Sequence, residues 1–336
     1  MNEPKSAGKA MTVMPASIGT IPLMKHKHPI LRKVLPLAGL LTVIPFVAGS
    51  SYELRVAAVL WIMALAAVGL HLLMGLAGQI SLGHAGFFGI GAYAVAILPT
   101  RYGWPTSLSI CAGIAASALI AYVVGKPILR LKGHYLAIAT LGFSLLIGLA
   151  ITSETALTGG PDGMSVEQFH VGSFEVSSTL AWYVISAVLL AVGTIIALGL
   201  RLSPTGRALC SILDSEVAAA AMGVNVAKRK VQVFVIAAIY AAISGSTLAL
   251  MNGFITPEVA GFMTSVEFVA MVVIGGLSTP IGAIVGAALL TLLPQFLASF
   301  HDYQDIAIGL VIMLSMIFLR RGIVPTVIQA LQRGAK

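Results

Sequence analysis

The sequence predicts an all-α protein, a polytopic bundle of transmembrane helices. Three observations predict it. Of the 336 residues, 58% are hydrophobic and only 10% are charged, where a soluble domain carries about 25% charged residues. Uncharged runs recur at lengths that can cross a bilayer. The basic residues lie between those runs, in every second connection. A net charge of +8 distributed in this way gives no sign of nucleic-acid binding, because no basic patch forms within one folded unit.

The chain divides into a tail, a transmembrane region and a second tail. Residues 1–33 hold six Lys or Arg and no long apolar run. They read as a cytoplasmic tail rather than a cleaved signal peptide. The transmembrane domain covers 34–324, and 325–336 form a cytoplasmic C-terminal tail. Spans follow from the absence of charge, since a central Asp, Lys or Arg costs roughly 2.5–3.5 kcal/mol on insertion. Val34–Ala48 is the first. Val56–Leu98 has no formal charge over 43 residues. As one helix it would be about 65 Å long, twice the hydrocarbon core, so it must cross twice and break near Gly75–Gly83. Leu108–Val124, His134–Thr152, Leu180–Leu200 and Val231–Met251 follow. Thr264–Leu277 and Gly282–Ala298 are two short apolar pieces joined at GGLSTPIG, and Ile306–Leu319 is the last. With the N-terminus inside, these make ten crossings and put both termini in the cytoplasm. Eighteen of the 20 Lys and Arg then face inward, with only Arg55 and Arg101 outside, as the positive-inside rule requires.

Two connections stand out. Ser153–Thr179 has four acidic residues and no Lys or Arg, and becomes an external loop. Arg201–Lys230 is basic and becomes a cytoplasmic insert. Its Ala-rich middle, Ser211–Ala221, is expected to be helical, with Gly223 as a helix stop and Asn225 continuing the turn. Such an insert is either a solvated loop or a docking site for a cytoplasmic motor domain. Glycines crowd at 75–91 and at 275–286, where small residues let membrane helices pack closely. An internal repeat is one reading of that pair. Among the first group, Gln79 and Ser81 are either pore-lining or helix–helix hydrogen-bonding residues, and His84 reads first as a packed histidine. LTGGPDGM (157–164) is a tight turn, and its Thr158–Gly163 would also suit an external gate or the seat for a delivery protein. Glu267 is the acidic residue within a span, placed near its external end. Cys111 and Cys210 are too differently placed to pair, and His26, His28 and His301 have no ligand-like spacing. No GxxxxGK[ST] motif occurs, so the chain has no phosphate loop of its own.

Glu216, Val217, Ala218, Ala219 and then Gly223 resemble the Glu-Ala-Ala…Gly coupling loop of the permeases of bacterial ATP-binding-cassette importers. With that lead, GLAGQISLGHAGFFGIGAYAVAIL (75–98), LKGHYLAIATLGF (131–143), LTGGPDGM, SPTGRAL (203–209), MGVNVAKRKVQVFVIAA (222–238), FVAMVVIGGLSTPIGAIVGAALLTLLP (268–294) and FLRRGIV (318–324) resemble the branched-chain amino acid permease family, in its LivM-type member. The likeness covers roughly residues 56–324. His71 departs from the polar Asn expected in that family, and Leu213 from a basic residue.

The resemblance implies an inner-membrane permease subunit for leucine, isoleucine or valine. Its partners would be two cytoplasmic ATPase subunits, a second permease chain and a periplasmic substrate-binding protein. This chain would bind no cofactor and would not be an enzyme; ATP and Mg would belong to the ATPase. The coupling residues implied are Arg207, Asp214, Glu216, Ala218, Ala219 and Gly223. The substrate pathway is expected to draw on Gln79, Ser81, His84, Thr158, Gly159, Gly160 and Asp162. Urea or short amides are the alternative substrates. A stand-alone ion-coupled transporter is the alternative class, against which the scarcity of buried carboxylates counts.

Overall fold

The computed structural model describes residues 36–39, 41–45, 49–131, 133–171, 174–175, 178–296, 309–310, 313 and 322–334. The 1–33 tail, the crossing expected at 306–319 save three residues, and His26, His28 and His301 lie outside the described residues.

Twelve helices are labelled here. They are α1 (Ser51–Ala77), α2 (His84–Tyr102), α3 (Thr106–Ile128), α4 (His134–Ser153), α5 (Thr155–Thr158), α6 (Thr179–Leu202), α7 (Pro204–Asp214), α8 (Glu216–Ala221), α9 (Val226–Asn252), α10 (Phe262–Gly275), α11 (Pro280–Phe296) and α12 (Ile323–Gly334). The 43-residue uncharged run does break where its length demanded. Helix α1 starts on a cap in which the Ser50 side chain accepts from Glu53 N, and it ends on Gly78 in the left-handed region.

Five described helices are long and apolar enough to cross a membrane, or six if α10 and α11 form one broken span bent by 120°. The sequence suggested ten crossings. Part of the difference is that the last span lies largely, and the first partly, outside the described residues. The rest is physical. Helix α2 is diluted by its glycines, His84 and Arg101. Helices α10 and α11, at 14 and 17 residues, are about 21 and 26 Å long, each short of the roughly 30 Å core.

Helices α1 and α9 are the centre of the bundle, with 83% and 78% of their apolar windows buried, against 28% in α3 and 22% in α4. Lipid-facing helices keep apolar residues outward because no water drives them in. Contact among the central helices relies on glycine. A methyl group at Gly91 would run into Ala242 O, and one at Gly245 into Phe88 O. Helices α2 and α9 thus touch backbone to backbone, where any side chain would force them apart.

Segments expected on the same side of the membrane meet one another. At the basic end, the Arg201 guanidinium donates to Ser278 O, Arg229 donates to Thr205 Oγ1 at 3.0 Å, and Leu213 packs on Gly78. At the opposite end, Arg55 reaches Asn252 Oδ1 at 3.3 Å and Tyr52 pairs with Gln295. There too β1 (Met164–Ser165) forms an antiparallel ladder with β4 (Phe254–Ile255). A second short ladder joins β2 (His170–Val171) to β3 (Phe174–Glu175). The loop at 153–179 is therefore folded, and two residue pairs stitch it to the 252–264 connection, which also lacks Lys and Arg.

Candidate functional site

The basic insert folds as two helices rather than one run through Ser211–Ala221. The chain breaks at Ser215, whose φ of −162° is extended and whose side chain accepts from Ala218 N to start α8. A serine that can cap is a better helix start than a helix interior. Gly223 lies at φ +83° and ends the segment as expected. Asn225 begins the next helix, accepting from Lys228 N at 3.0 Å.

Glu216 stands in the first turn of α8, and Lys230 of α9 reaches its Oε1 at 2.5 Å. Lys230 is 5% exposed and Glu216 35%. An exposed pair contributes about 0–1 kcal/mol, while breaking a fully buried one costs about 3–5 kcal/mol. This half-buried pair falls between the two. It fastens α8 to the central helix. Ala219 is buried in the core, while Arg207, Asp214, Ala218 and Gly223 are exposed. Val217 and Met222 are also exposed, at 78% and 85%. They are large apolar side chains at the basic end, outside any span.

Residues proposed for the substrate path separate into two groups. Gln79, Ser81 and His84 lie in and just after the break between α1 and α2. Ser81 Oγ accepts from Gly83 N at 3.3 Å. His84 Nε2 bonds Ala66 O at 2.9 Å, and its ring meets Phe268 edge-on at 5.5 Å. The packed-histidine reading fits this geometry. Both polar atoms of the Gln79 amide are buried, and neither has a partner among the described residues. The second group lies at the acidic end. Thr158 Oγ1 bonds Ile151 O at 2.6 Å and Glu154 O at 2.8 Å, and accepts from Gly160 N at 3.1 Å. Gly159 and Gly160 have φ of +78° and +65°, and Asp162 is exposed. The turn reading of LTGGPDGM holds, and the structure does not bring this turn beside Gln79.

Hydropathy missed a third feature. The connection after α9 does not stay at the surface. Its turn Pro257–Ala260 tucks Ala260 into the bundle, where Gly89 lies against it and Ser144 Oγ donates to Ala260 O at 3.3 Å. Just beyond it, Ser265 Oγ meets Ala85 N at 3.3 Å and Ser144 Oγ at 3.4 Å. Leu82 N donates to Thr140 Oγ1 at 3.0 Å. These hydroxyls satisfy the backbone at two helix breaks. Ala66 and Ser144 each lie near the middle of their spans, α1 and α4, so this polar seam is close to the bilayer midplane.

Non-helical backbone at that depth is tolerated only against protein or a water-filled cavity, and transport proteins place broken helices there. By fold, the chain is a multi-pass membrane protein with broken helices of the kind that transport proteins use. Comparison specifies the family. The branched-chain amino acid transport system / permease component family matches residues 53–316, and the chain belongs to that family. The high-affinity branched-chain amino acid transport system permease protein LivM of Salmonella typhimurium is 30% identical, over 84% of this chain and 72% of its own length. LivM of Escherichia coli K12 is 31% identical over 77% of this chain and 66% of its own. LivH of Escherichia coli K12, carrying the same system name, is 24% identical over 77% and 90%. No solved structure matches the chain.

Proposed function

We propose that this chain is the permease subunit of an ATP-driven importer in the bacterial inner membrane, and that it moves leucine, isoleucine or valine by alternating access. Two cytoplasmic ATPase subunits, a second permease chain of the same family and a periplasmic binding protein complete the machine. ATP and Mg are handled by the ATPase. The substrate class is supported by the relatives' names.

The docking of the ATPase rests on one observation: Val217 and Met222 are exposed at 78% and 85% on the insert that carries Glu216. Lipid does not reach the basic end, and none of the described residues covers these side chains. Apolar groups held out in this way mark a protein contact. Arg207, Asp214, Glu216, Ala218 and Gly223 surround them in the insert, and buried Ala219 anchors the helix that displays them.

The test is uptake of labelled leucine by proteoliposomes holding the complex, with internal ATP and external binding protein varied independently. Uptake should require both, and valine but not urea should compete. V217D and M222D should leave the chain inserted but release the ATPase during purification. Uptake driven by an ion gradient without ATP, or undiminished ATPase recovery with both variants, would refute the proposal.

A further inference from the structure

Glu267 is an acidic residue inside an apolar helix, α10, and its neighbours give its depth. Two residues earlier, Ser265 bonds to Ser144, near the middle of α4. The next residue, Phe268, packs on His84, which bonds Ala66 near the middle of α1. Glu267 is therefore close to the midplane, deeper than the external end the sequence suggested. Ser265 and Phe268 are buried, whereas Glu267 and Met263, one turn before it, are exposed. The carboxylate thus lies on the face that α10 turns away from its own bundle. Among the described residues nothing hydrogen-bonds it or pairs with it.

A carboxylate at this depth does not stand against lipid tails. Intramembrane acids face water-filled cavities or other protein. A second chain of the same family would need a cation at the midplane to meet it, and the described spans of this chain carry no Lys or Arg near their centres. A water-filled path meets the requirement without one. Helix α10 is also the place for it, since it follows the inserted Pro257–Ala260 turn and ends at the bend into α11. Broken helices of this kind carry the substrate sites of transporters. An amino acid crosses as a zwitterion, and its ammonium group must be matched wherever it sheds water.

We propose that Glu267 lines the translocation path and pairs with the α-ammonium group of the substrate at the midplane. This rests on the reading above that the cargo is an amino acid.

The experiment uses the purified complex in proteoliposomes, with Cys111 and Cys210 replaced by alanine and Glu267→Cys introduced. A small membrane-impermeant thiol reagent is applied from each side in turn, with and without saturating leucine. The proposal expects labelling from at least one side, suppressed by leucine. In parallel, E267Q should lower leucine uptake by about tenfold or more, as loss of one partner of a desolvated charge pair does, while E267D keeps a substantial part of it. No labelling from either side would place Glu267 against lipid or a second chain and overturn the proposal. Labelling indifferent to leucine in a complex that imports leucine would overturn it too, as would E267Q at the unmodified rate. If the unmodified complex imports no leucine, the functional reading fails separately, and E267C labelling still reports whether the residue faces a water path.

Discussion

Gly245→Ala tests the central packing with a sign opposite to helix propensity. In a helix interior, Gly→Ala stabilises by about 1 kcal/mol. At Gly245 the added methyl would instead meet Phe88 O, with Phe88 C at 2.8 Å and Phe88 Cα at 3.2 Å. All three are backbone atoms of α2, so no rotamer change relieves the contact. Overpacking against rigid neighbours costs about 3 kcal/mol at the upper end of the usual range. The net loss is about 2 kcal/mol, or roughly 30-fold in the folding equilibrium. At about 2–4 °C per kcal/mol for a large domain, the melting midpoint should fall by roughly 4–8 °C. The assay is the fraction of monodisperse protein surviving stepwise heating in detergent, read by size-exclusion chromatography. Gly142→Ala is the control, because nothing lies within 4 Å of a methyl there, and its midpoint should hold or rise. A G245A midpoint equal to or above the unmodified one would refute the backbone contact between α2 and α9.

Two further outcomes are expected. T140V removes the acceptor of Leu82 N and leaves a half-buried donor unpaired, at about 1 kcal/mol; the midpoint should drop and T140S should restore it, whereas an unchanged T140V would mean that water or another group satisfies the break. For orientation, in a Cys111→Ala background, a cysteine at exposed Ser165 should react with an impermeant thiol reagent added outside intact cells. Native Cys210 should not, and the reverse pattern would invert the assigned topology.

Much of this architecture could be read from charge and length alone. The break between α1 and α2 follows from an uncharged run too long for one crossing. The partition of basic and acidic connections follows from the positive-inside rule, and the meeting of Arg201 with Ser278 and of Met164 with Ile255 agrees with it. Gly223 announced a helix end because φ +83° is open to glycine. Other features leave no pattern in one sequence. The split at Ser215 depends on a cap that competes with a good helix run. The inward fold of Pro257–Ala260 depends on the Ser144 hydroxyl, which donates to Ala260 O from α4, some hundred residues earlier. Lys230 looks like one more basic residue in a basic insert, and only packing shows that it is buried against Glu216. Glu267 was visible as a charge in a span, but its depth is set by Ser144 and Ala66, which hydropathy does not connect to it.

Helix α9 has a mechanical consequence. It is an unbroken 27-residue helix with no proline, about 40 Å long. One end is fastened to the insert through Arg229 and Lys230, and the other leads directly into the β1–β4 ladder. Gly245, where it bears on Phe88, is about 22 Å from Lys230 and about 10 Å from Asn252. A stiff rod pivoting at that bearing is a lever with arms in a ratio of about two to one. Its ends swing in opposite senses, and the far end moves half as far. A push on one face of the membrane would therefore reach the other reversed and reduced, with no gear beyond the one glycine on which the rod turns.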